Sequence, residues 1–259
     1  MSELDLTYEE EEKPKKFQTK WFFPIFFQPN KALKEISEKN YAVWLMPLCV
    51  LMLSALILVL VSAPIIGGSS QNVTTPEGFE YYSPEQQQQF QNAVTMGASP
   101  VVTTVFPLVG KIIGIWIGWF LLSSILHLSL TLNGSRSSNR TALNVVAWSS
   151  LPFFIRDIVQ IIAILITKQL IAQPGLSGFM ESGTTGLPAY LSSLLSFIDV
   201  YIIWQFILIG IGARKISGLK AGKAWLATLI AFIVFLALKA LPGLIGAQLG
   251  TLSTGGMFF

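Results

Sequence analysis

Residues 42–66 read AVWLMPLCVLMLSALILVLVSAPII, twenty-five consecutive positions without a charged side chain. A hydrocarbon core about 30 Å thick is crossed by about 20 helical residues rising 1.5 Å each, so this stretch is long enough to span a bilayer. Four more stretches qualify, at 104–132, 143–167, 190–212 and 224–246. A lone strand cannot satisfy its backbone groups in lipid, so all five are expected as helices. The predicted fold class is all-α: a polytopic transmembrane helical bundle with five spans plus a cytoplasmic interfacial helix ahead of the first.

Composition excludes the main alternatives. The 259 residues are 52% hydrophobic and 12% charged with mean hydropathy +0.61, against about 25% charged in a soluble domain. Of the 31 acidic and basic residues, 15 fall in the first 40 positions, which leaves the remainder apolar enough to be embedded. The net charge of +3 is small and scattered, so no nucleic-acid footprint is present. A single cysteine, Cys49, excludes an internal disulfide and any multi-cysteine metal site. No metal and no cofactor is expected, since no zinc-protease helix, P-loop or dinucleotide fingerprint occurs. Six acidic residues among the first 16 argue against a cleavable signal peptide, so targeting is expected from an uncleaved span.

Lys and Arg are retained on the cytoplasmic side of membrane spans, and their distribution orients the chain. Seven precede the first span, Arg136 and Arg140 lie between spans two and three, and Arg214, Lys215, Lys220 and Lys223 lie between spans four and five. The segment 67–101 carries none but has Glu77, Glu80 and Glu85, and Glu181 follows the third span. The expected topology is N-terminus cytoplasmic and C-terminus extracytoplasmic.

Four regions follow from this. Residues 1–20 form a solvated charged tail with acids at Glu9–Glu12 and lysines from Lys13 to Lys20. Residues 21–40 form an interfacial amphipathic segment that packs aromatics around Pro24 and then places Ala32, Leu33 and Ile36 opposite Lys31, Lys34, Glu35 and Lys39. The apolar face is expected on lipid, with packing of the aromatics against the bundle as the alternative. Residues 41–247 are the five-helix membrane domain, and 248–259 an extracytoplasmic tail. The segment 67–100, rich in Gly, Pro, Ser, Thr and Gln, has too little to bury and is expected as a loop or short helix.

An ionisable group inside a span is a functional hypothesis by default. Arg156 and Asp157 lie mid-span in the third helix, Asp199 in the fourth, Lys239 in the fifth and His127 near the inner end of the second. Asp199 and Lys239 stand level with one another, while Arg156 and Asp157 point about 100° apart, so each of these two meets a partner on another helix. Two readings stay open. In one, Asp199 with Lys239, and Asp157 with Arg156 or Lys111, are ion pairs that fix register. In the other, the charges line a polar cavity for a solute, a proton or a lipid headgroup. Lys111 and Lys168 can snorkel to the outer interface.

No catalytic residue is expected. Gly175-Leu-Ser-Gly178 matches the short serine motif of rhomboid proteases, yet Ser177 and the only histidine, His127, fall at opposite faces of the membrane. Gly110, Gly114 and Gly118 form a small-residue stripe that would admit a close helix, within the bundle or from a second copy. Pro47, Pro107, Pro152 and Pro242 predict kinks.

Three stretches carry a family resemblance: Phe26-Phe-Gln-Pro-Asn-Lys-Ala-Leu-Lys-Glu-Ile36; Ala147-Trp-Ser-Ser-Leu-Pro152; and the run from Trp204 through Gly210-Ile-Gly-Ala-Arg-Lys-Ile-Ser-Gly218 to Ala224. With five spans they resemble the Yip family over roughly residues 22–247. The resemblance implies a cytoplasmic N-terminus and, for eukaryotic members, work in Golgi and endoplasmic-reticulum traffic with prenylated GTPases and partner membrane proteins. The Asp-Leu-Tyr-Gly-Pro segment of those members is absent, so the chain is more similar to the prokaryotic branch, and that resemblance implies a prokaryotic cell membrane. The function expected is a non-enzymatic, membrane-organising or partner-binding factor; the alternative is a small solute, ion or lipid transporter using the buried charges. The partners expected are the lipid bilayer and a membrane protein or second copy, with no nucleic acid.

Overall fold

The computed structural model describes residues 17–180 and 186–255, the last twelve by backbone alone. Most of the acidic and basic tail, Glu181 and the last four residues of the expected extracytoplasmic tail lie outside the described residues. Described residues are helical or irregular, without strands. Five stretches are long and apolar enough to cross a membrane: Leu45–Gln71, Val101–Leu132, Asn139–Thr167, Val200–Ser217 and Ala221–Gly243.

In chain order the helices are α1 (Pro24–Phe27), α2 (Pro29–Ser37), α3 (Leu45–Gln71), α4 (Pro84–Gly97), α5 (Phe106–Leu132), α6 (Asn139–Ser149), α7 (Pro152–Thr167), α8 (Gly186–Ser196), α9 (Val200–Ser217) and α10 (Ala221–Gly255). Two expected spans are each built from two helices. The third breaks at Ser150–Leu151 because Pro152 has no N–H to continue the ladder and opens α7. The fourth breaks at residues 197–199, where Asp199 leaves helical geometry and accepts the Ile202 N–H at 2.8 Å as an N-cap. Asp199 is therefore a helix terminus and not a mid-helix charge. Pro47 falls in the first turn of α3, where a missing N–H costs nothing; Pro107 follows a π-helical turn at Val101–Val105 that leads into α5; and Pro64 and Pro242 lie inside α3 and α10. The fifth helix continues through residue 255, past the expected start of the tail at 248.

The segment around residues 21–40 departs from the expectation of a lipid-facing anchor. Ala32, Leu33 and Ile36 are buried, as are Trp21 and Ile25, and they pack on Val145 and Trp148 of α6 and Leu208 of α9. The Trp21 ring meets Trp148 edge-on at 5.5 Å and its indole N–H donates to Glu35 at 2.8 Å. The connection into α3 is tied to α6 by backbone contacts. Asn144 donates to the Tyr41 carbonyl and accepts the Val43 N–H, both at 2.9 Å; the Trp148 indole donates to the Val43 carbonyl at 3.0 Å; and Arg140 donates to the Asn40 carbonyl at 2.8 Å. An apolar helix face satisfies its burial requirement on protein as well as on lipid, and here these buried polar partners fix the choice.

Between α3 and α5 the segment of low apolar content forms α4, opened by a reciprocal cap. The Gln86 N–H donates to the Ser83 hydroxyl and the Ser83 N–H to the Gln86 side chain. The Glu85 carboxyl in this first turn is held below its ordinary range by its own backbone N–H and by the Ser83 hydroxyl.

Helices α9 and α10 approach closely where the sequence supplies glycine. A Cβ at Gly210 would overlap the Trp225 ring of α10, and one at Gly212 would overlap Val145 of α6. By contrast nothing lies within 4 Å of a Cβ built on Gly110 or Gly114, and at Gly118 only Phe235 comes near, at 3.9 Å. The stripe expected to seat a close helix is thus uncovered within the chain, and close packing falls on Gly210 and Gly212 instead.

Candidate functional site

The break at Pro152 puts Phe153, Arg156 and Asp157 on one face of the first turns of α7, at the i, i+3, i+4 spacing of helical neighbours. That face meets α3 and the junction of α8 with α9. Asp157, 6% exposed, accepts the Ser54 hydroxyl of α3 at 2.6 Å. Arg156 sits over the Phe153 ring, 4.5 Å from its centroid, and brings its guanidinium to 3.6 Å from the Asp199 carboxylate. Each of the two sequence neighbours therefore finds its partner on another helix.

Lys239 does not pair with Asp199, contrary to one of the two expectations. Among the described residues no carboxylate stands within ion-pair distance of it. Its ammonium sits over Phe197 at 4.4 Å and within 6 Å of the Phe235 and Phe153 rings. Aromatic faces stabilise the charge through their quadrupoles without consuming its N–H donors. Nor does Asp157 pair with Arg156 or Lys111; its described hydrogen bond is to Ser54.

These groups line a cavity of about 440 Å³ among α3, α5, α7, α9 and α10. Lys111, Arg156, Asp157 and Lys239 supply its charge, and Ser150 and Gln205 its other polar side chains. The remaining wall is apolar, including Leu51, Trp119, Leu122 and Phe235. Gln205 is 3% exposed and donates to Ser150 at 2.8 Å, leaving its amide oxygen buried without a partner; the Arg156 Nε–H is left likewise. Buried polar groups without partners are rare and mark places where a further molecule can complete the bonding. Gly114, which no other side chain covers, and Gly118, which touches Phe235, also border the cavity.

Other expected residues lie elsewhere. His127 does not line the cavity, and its Nδ1 is buried without a hydrogen-bond partner. Ser177 spends its hydroxyl on the Pro174 carbonyl at 2.7 Å, in a turn whose Gly175 has φ +61° and presses on the carbonyls at the end of α8. A side chain at Gly175 would meet three of those oxygens at 2.7–2.8 Å, so the glycine of that motif serves backbone packing. Arg136, Arg140, Arg214, Lys215, Lys220 and Lys223 are all exposed, on the α5–α6 loop, the start of α6, the end of α9 and its turn into α10. Among the described residues no group of three His, Cys, Asp or Glu side chains could hold a metal ion. Sequence reading missed Gln205, Ser150 and Ser54, although a Gln within the apolar run of the fourth span was the available signal.

An all-α bundle with five candidate spans and a charged intramembrane cavity defines the class: a polytopic helical membrane protein. The Yip1 domain family matches residues 23–241, so the chain belongs to that family. It is also similar to Membrane protein YknW of Bacillus subtilis (strain 168), with 23% identity over 230 residues that cover 88% of this chain and 92% of that protein. No solved structure matches the chain.

Proposed function

We propose that this Yip1-family protein is a non-enzymatic component of a bacterial cell membrane, and that it holds an amphipathic, membrane-borne molecule among α3, α5, α7, α9 and α10. The observation carrying this reading is the cavity. Its volume falls within the range of about 300–1,000 Å³ typical of small-molecule sites, its wall is mostly apolar, and it keeps Lys239 with no described carboxylate at ion-pair distance. Opening along Gly114 and Gly118 gives such a molecule a lateral route from the bilayer. The test is native mass spectrometry of protein purified in mild detergent. Wild-type protein should carry about one amphiphile per chain, and the double substitution A55W/G118L, which fills the wall, should lose it while retaining helical circular dichroism. Wild-type protein that stays empty after incubation with a total membrane lipid extract would refute the reading.

A second reading rests on the far end of the bundle, where Arg136, Arg140, Arg214, Lys215, Lys220 and Lys223 are exposed together with Lys31 and Lys34. This end is the cytoplasmic face by the charge rule, and it offers an acidic segment of a partner membrane protein a docking surface. Crosslinking in intact membranes tests it: replacing Arg214, Lys215, Lys220 and Lys223 with Gln should abolish any partner adduct that forms with the native chain. Persistence of the same adduct in the Gln variant would remove this reading.

A further inference from the structure

Resting on the cavity reading, we infer that the bound molecule is a monoanionic amphiphile, with its negative head against Lys239 and its apolar tail running toward Trp119 and Leu122. The inference comes from counting charge where water is scarce. Arg156 is neutralised by Asp199, at 3.6 Å. Asp157 contributes one negative charge to the cavity, whereas Lys111 and Lys239 contribute two positive ones. One positive charge is left over; Lys111 is exposed at the edge of the cavity, so the surplus lies at its Lys111–Lys239 end, where a counter-ion satisfies it.

Lys239 is placed to receive it. The rings of Phe153, Phe197 and Phe235 hold the ammonium in position. Because rings accept no conventional hydrogen bond in its place, its donors remain for an anion, and the unpartnered Arg156 Nε–H adds a donor on the same cavity wall. The distribution of polarity fixes the ligand's direction. Lys111 and Leu122 both line the cavity on α5, about 16 Å apart by helical rise, and between them α5 contributes Gly, Ile, Trp and Leu only. A charged head at the Lys111–Lys239 end with a tail of at least several methylenes matches that wall. A carboxylate on an acyl chain and the phosphodiester of a phospholipid share this chemistry.

The decisive experiment titrates the purified protein with palmitate, hexadecanol and hexadecylamine, which have the same chain and differ in charge, and with phosphatidylglycerol, reading occupancy by native mass spectrometry. Palmitate or phosphatidylglycerol should bind at least about tenfold more tightly than hexadecanol, and hexadecylamine more weakly than hexadecanol. The tighter of the two anions identifies the source. Lys239→Met should erase the preference for the anions over hexadecanol, and Lys239→Arg should keep it. If Lys239→Met does not fold, Lys111→Met should reduce the preference in the same direction. Equal affinity for palmitate and hexadecylamine, with hexadecanol bound, would overturn the anionic head and leave the cavity reading intact. Failure of every amphiphile to bind would overturn both.

Discussion

Arg156 of α7 and Asp199 at the start of α9 are joined across the two broken spans, guanidinium to carboxylate at 3.6 Å, while the other carboxylate oxygen caps α9 through the Ile202 N–H. One aspartate thus does two separable jobs. Asp199→Asn keeps a capping oxygen and loses the charge, whereas Asp199→Ala loses both. The alanine variant should therefore be the less stable by about 1 kcal/mol, the usual worth of a cap. Thermal unfolding in detergent followed by circular dichroism measures the difference. Combining Arg156→Met with Asp199→Asn should cost less than the sum of the single changes, because the pair is lost only once. Strict additivity would mean that the two groups do not interact.

Asp157 and Ser54 form the second tie between spans, deeper in the protein. Removing the hydroxyl with Ser54→Ala leaves a buried carboxylate short of a donor, and a loss of about 1–3 kcal/mol is expected. In Asp157→Asn the same serine change should cost less, since a neutral amide needs the donor less than a carboxylate does. An equal cost in both backgrounds would show that the hydrogen bond is not charge-assisted.

At Gly210 the Trp225 ring occupies the space of a side chain, and at Gly114 nothing does. Gly210→Ala should destabilise the protein by about 1–3 kcal/mol through overpacking. Gly114→Ala, in an uncovered helix position, should leave stability unchanged or slightly raised. Melting temperatures of the two variants, run side by side, check the contrast.

Deleting residues 1–40 should leave the five spans inserted, since each carries its own apolar length, but it uncovers Trp148 and Leu208. Carbonate-resistant membrane association is expected to persist while the melting temperature falls. Trp21→Ala alone should cost about 3–5 kcal/mol, as for other large buried aromatics. A truncated protein as stable as the whole would place the segment off the bundle.

Topology is accessible through the lone cysteine. In a Cys49→Ser background, Glu77→Cys should react with an impermeant maleimide from outside intact cells, and Lys220→Cys only after permeabilisation. The reverse pattern would invert the proposed orientation.

The existence and number of spans were legible because apolar length alone sets them; kinks were expected at Pro47, Pro107, Pro152 and Pro242, and the structure turns the one at Pro152 into a break between two helices. The break at Asp199 was not legible, although the clue stood in the chain: aspartate ahead of a helix is a capping residue, and it was read instead as a charge in an uninterrupted run. Ala32, Leu33 and Ile36 showed an amphipathic face but not what covers it, since periodicity does not distinguish lipid from Trp148 and Leu208. At the site the charged residues were visible one by one. Their pairing was not, because a 1.5 Å rise gives height along a helix but not which neighbour turns toward it. The bare stretch of α5 was hidden for a similar reason: Gly110 and Gly114 promise close approach in sequence, and only the packing shows that no described helix takes it.

The docking of α2 on α6 and α9 carries a consequence for biosynthesis. The segment leaves the ribosome first, yet α9, which completes its seat, begins more than 160 residues later. During synthesis Trp21, Ile25, Leu33 and Ile36 must rest somewhere apolar, and the headgroup boundary is the nearest such place. Nascent chains stalled before α9 should therefore expose this segment to protease added from the ribosome side, and chains stalled after α10 should protect it.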